Sequence, residues 1–291
     1  MLLAATPLPA QPAAAPVPAQ AVQANINITP KRLILNDKKR TDSAYIFNQG
    51  NVPVTVDVSV VDRVMLPDGQ IKTLADAQAQ PDLKPVADRL RSARSYTLVT
   101  PRRVTLMPGK GQTIRLRAAL PVDANAPEYR SHLTVITVPP RDVGLTAENA
   151  AAQKAGELAI RINAVFGLSI PVIVRNGAPD ARAALSGVML EEELLSPDGV
   201  APAAPVPILS FDIVRLGSSS LYGNIQVRSE SDRKDVVASL RGVGVYPEID
   251  GRRVRVRLQR KPVKGGTLNV QFIDDDVAPG LVLARQSFTV R

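Results

Sequence analysis

The chain has 291 residues, 45% apolar and 3% aromatic, with no Trp, no Cys and a formal net charge of +9. The length suits two domains of about 100–150 residues, and the core must come mostly from Val, Leu, Ile and Ala. Without cysteine there is no disulfide framework, thiol nucleophile or cysteine-held zinc, and the positive charge is dispersed, with one dense run from Arg252 to Lys261.

Residues 1–24 carry no charge, five prolines and many alanines. They read as the remnant of an export signal, with Val22-Gln23-Ala24 resembling a cleavage site, or as a Pro/Ala tail. No run of about 18 unbroken apolar residues occurs, so no membrane span is expected. From Ile26 onward the chain is a succession of short alternating runs. Ile26 to Leu35 predicts a strand kinked or at an edge at Pro30, and Asn36-Asp37-Lys38 a turn. Strands follow at Ser43–Asn48 and at Pro53–Arg63, the latter with Val54, Val56, Val58 and Val60 on one face. Pro67-Asp68-Gly69 is a hairpin turn, and the polar segment from Ala75 to Arg91 allows only short helix. Further strands are expected at Tyr96–Thr100, Arg103–Met107, Gln112–Ala118 and Tyr129–Val138. Turn signals every 8–12 residues are the pattern of a two-sheet sandwich.

The second half repeats this grammar. Strands are expected at Ala183–Leu190, Ile208–Arg215, Leu221–Arg228, Val236–Tyr246, Arg253–Gln259, Thr267–Ile273 and Leu281–Val290. Pro197 to Pro207, with four prolines, reads as loop. The turn cluster from Arg175 to Pro179 marks the boundary. The expected organisation is a tail over 1–25, one sandwich over 26–176 and a second over 177–291, all-β and in series.

Chemistry-bearing patterns are scarce. His132 is the only histidine, and a catalytic or metal-binding histidine needs partners that this chain does not supply; it reads as structural. Glu191-Glu192-Glu193 and Asp274-Asp275-Asp276 lack the spaced ligands and glycine of a calcium loop and read as solvated loop. In Arg253-Val254-Arg255-Val256-Arg257 the arginines occupy the solvated face of a strand. No nucleophile or base motif is present, so neither an enzyme nor a cofactor is expected. Scattered aromatics argue against nucleic-acid binding.

The longest alternation runs through Leu158, Ile160, Ile162, Ala164, Phe166, Leu168 and Ile170. Side chains alternate faces along a strand, so this predicts one long strand with an apolar face. It is either an ordinary buried strand or an edge strand whose apolar row is offered to a partner. The long charged segment from Arg141 to Glu157 before it favours the second reading.

Four blocks in order resemble the PapD-like periplasmic pilus chaperones. They are Thr29-Pro30-Lys31-Arg32-Leu33-Ile34-Leu35, Thr100 to Gly109 with Gln112 to Leu116, Leu120-Pro121 with Tyr129-Arg130-Ser131, and the alternating strand ending Val172-Ile173-Val174-Arg175. They cover residues 26–176. The resemblance implies two immunoglobulin-like sandwiches, a periplasmic location, and a non-catalytic chaperone that lends its alternating strand to a pilus or fimbrial subunit and works with an outer-membrane usher. Strand addition of this kind is an established recognition mode. The donor side chains fall on Ile162, Ala164 and Phe166, flanked by Ile160 and Leu168. The family's carboxylate-gripping arginine falls on Arg32, but the accompanying lysine position falls on Pro171, leaving Arg175 or Arg161 as substitutes. The alternative is a secreted structural or adhesive protein that self-associates through the same strand. No partnership with nucleic acid and no stable membrane insertion is expected.

Overall fold

A computed structural model describes residues 25–139, 165–196, 200, 202–230 and 235–291. The first half contributes strands β1 (Ile26–Thr29), β2 (Leu33–Leu35), β3 (Thr41–Asn48), β4 (Val54–Val61), β5 (Arg63–Met65) and β6 (Ile71–Thr73). Two five-residue helices follow, α1 (Leu74–Gln78) and α2 (Lys84–Asp88). Then come β7 (Thr97–Thr100), β8 (Arg103–Leu106), β9 (Gly111–Ala118), β10 (Glu128–Val138) and β11 (Gly167–Arg175). The sheets β1-β3-β9-β7 and β2-β11-β10-β4-β8 face one another across a core that includes Ile28, Ile46, Leu116, Val56, Leu133 and Val172.

The second half holds β12 (Ala183–Leu195), β13 (Ala204–Arg215), β14 (Leu221–Ser229), β15 (Val236–Val245), β16 (Gly251–Arg257), β17 (Thr267–Asp274) and β18 (Val282–Thr289). Sheets β12-β13-β16 and β15-β14-β17-β18 enclose a second core built on Phe211, Ile213, Ile225, Val270 and Phe272. The protein is all-β, two immunoglobulin-like sandwiches in series.

Alternation produces these strands for a simple reason. In β4, Val54, Val56, Val58 and Val60 are all buried, and the residues between them are not. In β16, Val254 and Val256 are buried while Arg255 and Arg257 are exposed, so the arginines do lie on a solvated face. Three readings of the strands need correction. Glu191-Glu192-Glu193, read as solvated loop, lies in β12, paired with β13. The single strand expected over Ile26–Leu35 is two strands, because the chain changes sheets between Thr29 and Leu33: β1 pairs with β3, and β2 pairs in parallel with β11. The Pro-rich loop ends earlier than expected, since β13 already begins at Ala204. Pro205 and Pro207 pair with β12, but the β16 ladder starts only at Ile208, so one flank of β13 needs no N–H there.

The segment from Arg63 to Ala93 ties the halves together. Gly69, at φ +86°, turns the β5–β6 hairpin; any side chain there would run into the Arg252 guanidinium. The Pro67 carbonyl accepts the Arg253 amide at 2.7 Å. Met65 and the flank of Val86 join the second core, while Val64, Ala77 and Ala87 form a small core of their own.

Candidate functional site

Two features coincide on β11: an open edge and an exposed apolar start. The Thr137 amide donates to the Phe166 carbonyl at 2.9 Å, which fixes the phase of the antiparallel ladder with β10. Residues opposite one another alternate between bonded and non-bonded pairs. The even positions of β11 therefore bond to β10, and the odd positions point their backbone groups the other way. On that side β2 covers only Val172–Val174. The N–H and C=O groups of Gly167 and Ser169 face an edge that no described strand occupies. Pro171 lacks an N–H, and in this phase the loss falls on the open edge and leaves the β10 ladder intact.

The side chains divide along the same strand. Leu168 packs against the first core, and Ile170, Val172 and Val174 are buried in it. Phe166 is 52% exposed and its neighbour Val165 is 57% exposed. Phe166 borders a cleft of about 290 Å³, lined also by Ile26, Val135 and Thr137. Ile160, Ile162 and Ala164, like Arg161 and the segment from Arg141 to Glu157, lie outside the described residues.

Arg32 sits between the halves. Its guanidinium stacks on Tyr222 at 3.7 Å, donates to the Asp275 carbonyl at 2.6 Å and pairs with the Asp276 carboxylate at 3.1 Å. Arg175 binds the same carboxylate and lies 3.7 Å from Glu128. The two arginines of this corner thus hold a carboxylate that belongs to the chain itself. This corrects the solvated-loop reading of Asp274–Asp276. Asp274 is 2% exposed and accepts the Asp276 and Ala278 amides, and that turn aims Asp276 inward. Asp275 alone of the three is exposed.

A second buried cluster lies beside it. Arg130 stacks over Tyr246 at 4.2 Å and pairs with Glu248, which also accepts the Met65 amide at 2.8 Å. Arg130 further donates to the Arg63 carbonyl at 2.8 Å and lies 3.2 Å from His132 Nδ1. Burial, then the Arg130 and Arg63 charges, push His132 down to about 2, so it stays neutral. Burial pushes Tyr246 up to about 12 and raises Glu128, whose carboxylate accepts the Ser220 hydroxyl and amide. Sequence reasoning missed Glu128, Glu248 and Asp276, because partners far along the chain carry no local signal. Among the described residues no cluster of acidic or histidine side chains could hold a metal ion.

The chain is therefore a two-sandwich protein with an open edge along the start of β11 and a charged seam between its halves. No family model and no curated protein matches it. It is similar to solved structures of pilus and fimbrial chaperones. The chaperone CupB2 of Pseudomonas aeruginosa is 11% identical, with 91% of this chain and 100% of that one covered, at a TM-score of 0.43. The E. coli chaperone DraB is 11% identical, with 92% and 97% covered, at 0.44. The SafB chaperone, solved with the SafA pilin of Salmonella enterica, gives 14%, 91% and 96%, at 0.42.

Proposed function

We propose that this chain is a periplasmic, non-catalytic assembly chaperone that binds a pilus or fimbrial subunit by strand addition and passes it to an outer-membrane usher. In this reading residues 26–176 form the subunit-binding sandwich and 177–291 the second. The observation that carries it is the open edge of β11 at Gly167 and Ser169, continuous with the exposed Val165 and Phe166. Unpaired backbone groups on an edge are a template for a further strand. Phe166 supplies an apolar anchor at its start, and burying such a side chain contributes about 1.5–3 kcal/mol. The sequence places Ile160, Ile162 and Ala164 in the same alternating row ahead of it.

Arg32 is the proposed anchor for a subunit carboxylate, and in the free chain that role is filled by Asp276. A subunit group would join or displace Asp276 there. The test is the stoichiometry and edge dependence of the complex recovered on co-expression with an exported subunit. A one-to-one complex lost in Ser169→Pro supports the reading. Self-association through the same edge, with no subunit bound, replaces it with the structural-protein alternative.

A further inference from the structure

We infer that the cleft lined by Arg89, Arg91 and Arg215, between the two halves, is a binding site for an oxyanion, a carboxylate or phosphate group gripped by these three arginines. This site is separate from the β11 edge and does not depend on the strand-addition reading.

The cleft has a volume of about 490 Å³. Arg89 at the end of α2 enters it from the first half, and Arg215 at the end of β13 from the second. Both guanidinium groups donate to one oxygen, the Pro247 carbonyl, at 3.4 and 3.1 Å. Two like charges are thereby held together, an arrangement that costs energy unless a counter-charge is near. Arg89 has one, being bidentate to Asp250 at 2.6 and 3.0 Å. Arg215 has none in contact among the described residues. There its bonds go to the carbonyls of Pro247, Ile249 and Gly217, although it is half-buried. Burial and the Arg89 charge both lower its pKa, with Asp250, Glu128 and Glu248 acting more weakly the other way. Arg91, also lining the cleft, is exposed and has no hydrogen bond or ion pair from its side chain among the described residues.

The remaining charge in the lining is Glu128, whose oxygens are taken by Ser220 and whose nearest cation is Arg175. It does not answer Arg215 or Arg91 by contact. Asn125 and Ser218 add neutral polar groups to the rim. Three guanidinium groups converge on one concavity with a single carboxylate committed to one of them. Guanidinium forks match carboxylate and phosphate oxygens in pairs, so a group of that class fits.

The experiment is a thermal-shift titration of the full chain with inorganic phosphate and, separately, with succinate, each against sodium chloride at matched ionic strength. A ligand that binds only the folded state raises the melting temperature and saturates. A saturable rise with either anion is expected, with the half-saturating concentration about tenfold higher in Arg91→Ala, since one charge-assisted contact is lost. Arg91 is exposed, so this variant keeps the fold; Arg91→Lys should recover part of the affinity. Phosphate alone, succinate alone, or both support the site and define its preferred group. No response beyond that of sodium chloride, or a response unchanged in Arg91→Ala, overturns it.

Discussion

At Asp276 one nearly buried carboxylate faces two guanidinium groups, Arg32 and Arg175, that reach it from the other half of the molecule. Removing one partner of a buried ion pair leaves an uncompensated charge and costs about 3–5 kcal/mol. Asp276→Ala should therefore destabilise by that order in urea unfolding. Arg32→Ala should cost less, because Arg175 still holds Asp276. In the same variant a subunit loses its proposed carboxylate anchor, so affinity measured by calorimetric titration should fall while the folded fraction changes little. Which carboxylate of the run Asp274–Asp276 turns inward was not legible in the sequence. It depends on Asp274 capping its own loop and on arginines about 100 or more positions away.

His132 gives a second test at this scale. Unfolded it titrates near 6.5, whereas in the fold it stays neutral down to about 2. Below 6.5 the unfolded chain gains a proton that the folded chain refuses. Stability is then lost as pH falls, by up to about 1.4 kcal/mol per unit. Glu128 has the opposite sign, because burial raises its carboxyl and stability is lost as pH rises from its ordinary 4.5. The two slopes overlap, so the comparison must be with His132→Gln, which keeps an acceptor for Arg130. Between about pH 7 and pH 5 the native chain should lose stability relative to the variant; parallel curves would show that His132 is not buried neutral.

Among the elements, β11 carries the proposed subunit-binding edge. Its alternation was legible, and so was the ambiguity between a core strand and an offered one. In the described part, the even face packs in the first core from Leu168 on, while Phe166 stands half in solvent. Phe166→Asp should leave the melting temperature almost unchanged and abolish subunit binding. Ile170→Asp, in the core, should destabilise by several kcal/mol. The open edge itself could not be read from sequence, because it depends on how short β2 is and on the hydrogen-bonding phase set by Thr137 and Phe166. Elsewhere, valine alternation and turn residues located most strands to within a few positions. The ends of β12 and β13 ran past expectation, because their pairing with each other overrides the Pro-rich composition.

For the whole molecule, the seam between the sandwiches sets how the halves behave together. Met65 and Ile173 from the first half are buried in the second core, and Arg130–Glu248 and Asp276 with its arginines lock the same interface. One calorimetric transition is expected for the native chain. Glu248→Ala removes the partner of Arg130 and the acceptor for the Met65 amide, so two separated transitions should appear. The central claim, however, is that the open edge of β11 receives a partner strand. Hydrogen exchange at the Gly167 and Ser169 amides, with and without the co-expressed subunit, tests it most directly. Fast exchange in the free chain and strong protection of both amides in a one-to-one complex is the predicted result. A stable complex in which these two amides exchange as fast as in the free chain would contradict it.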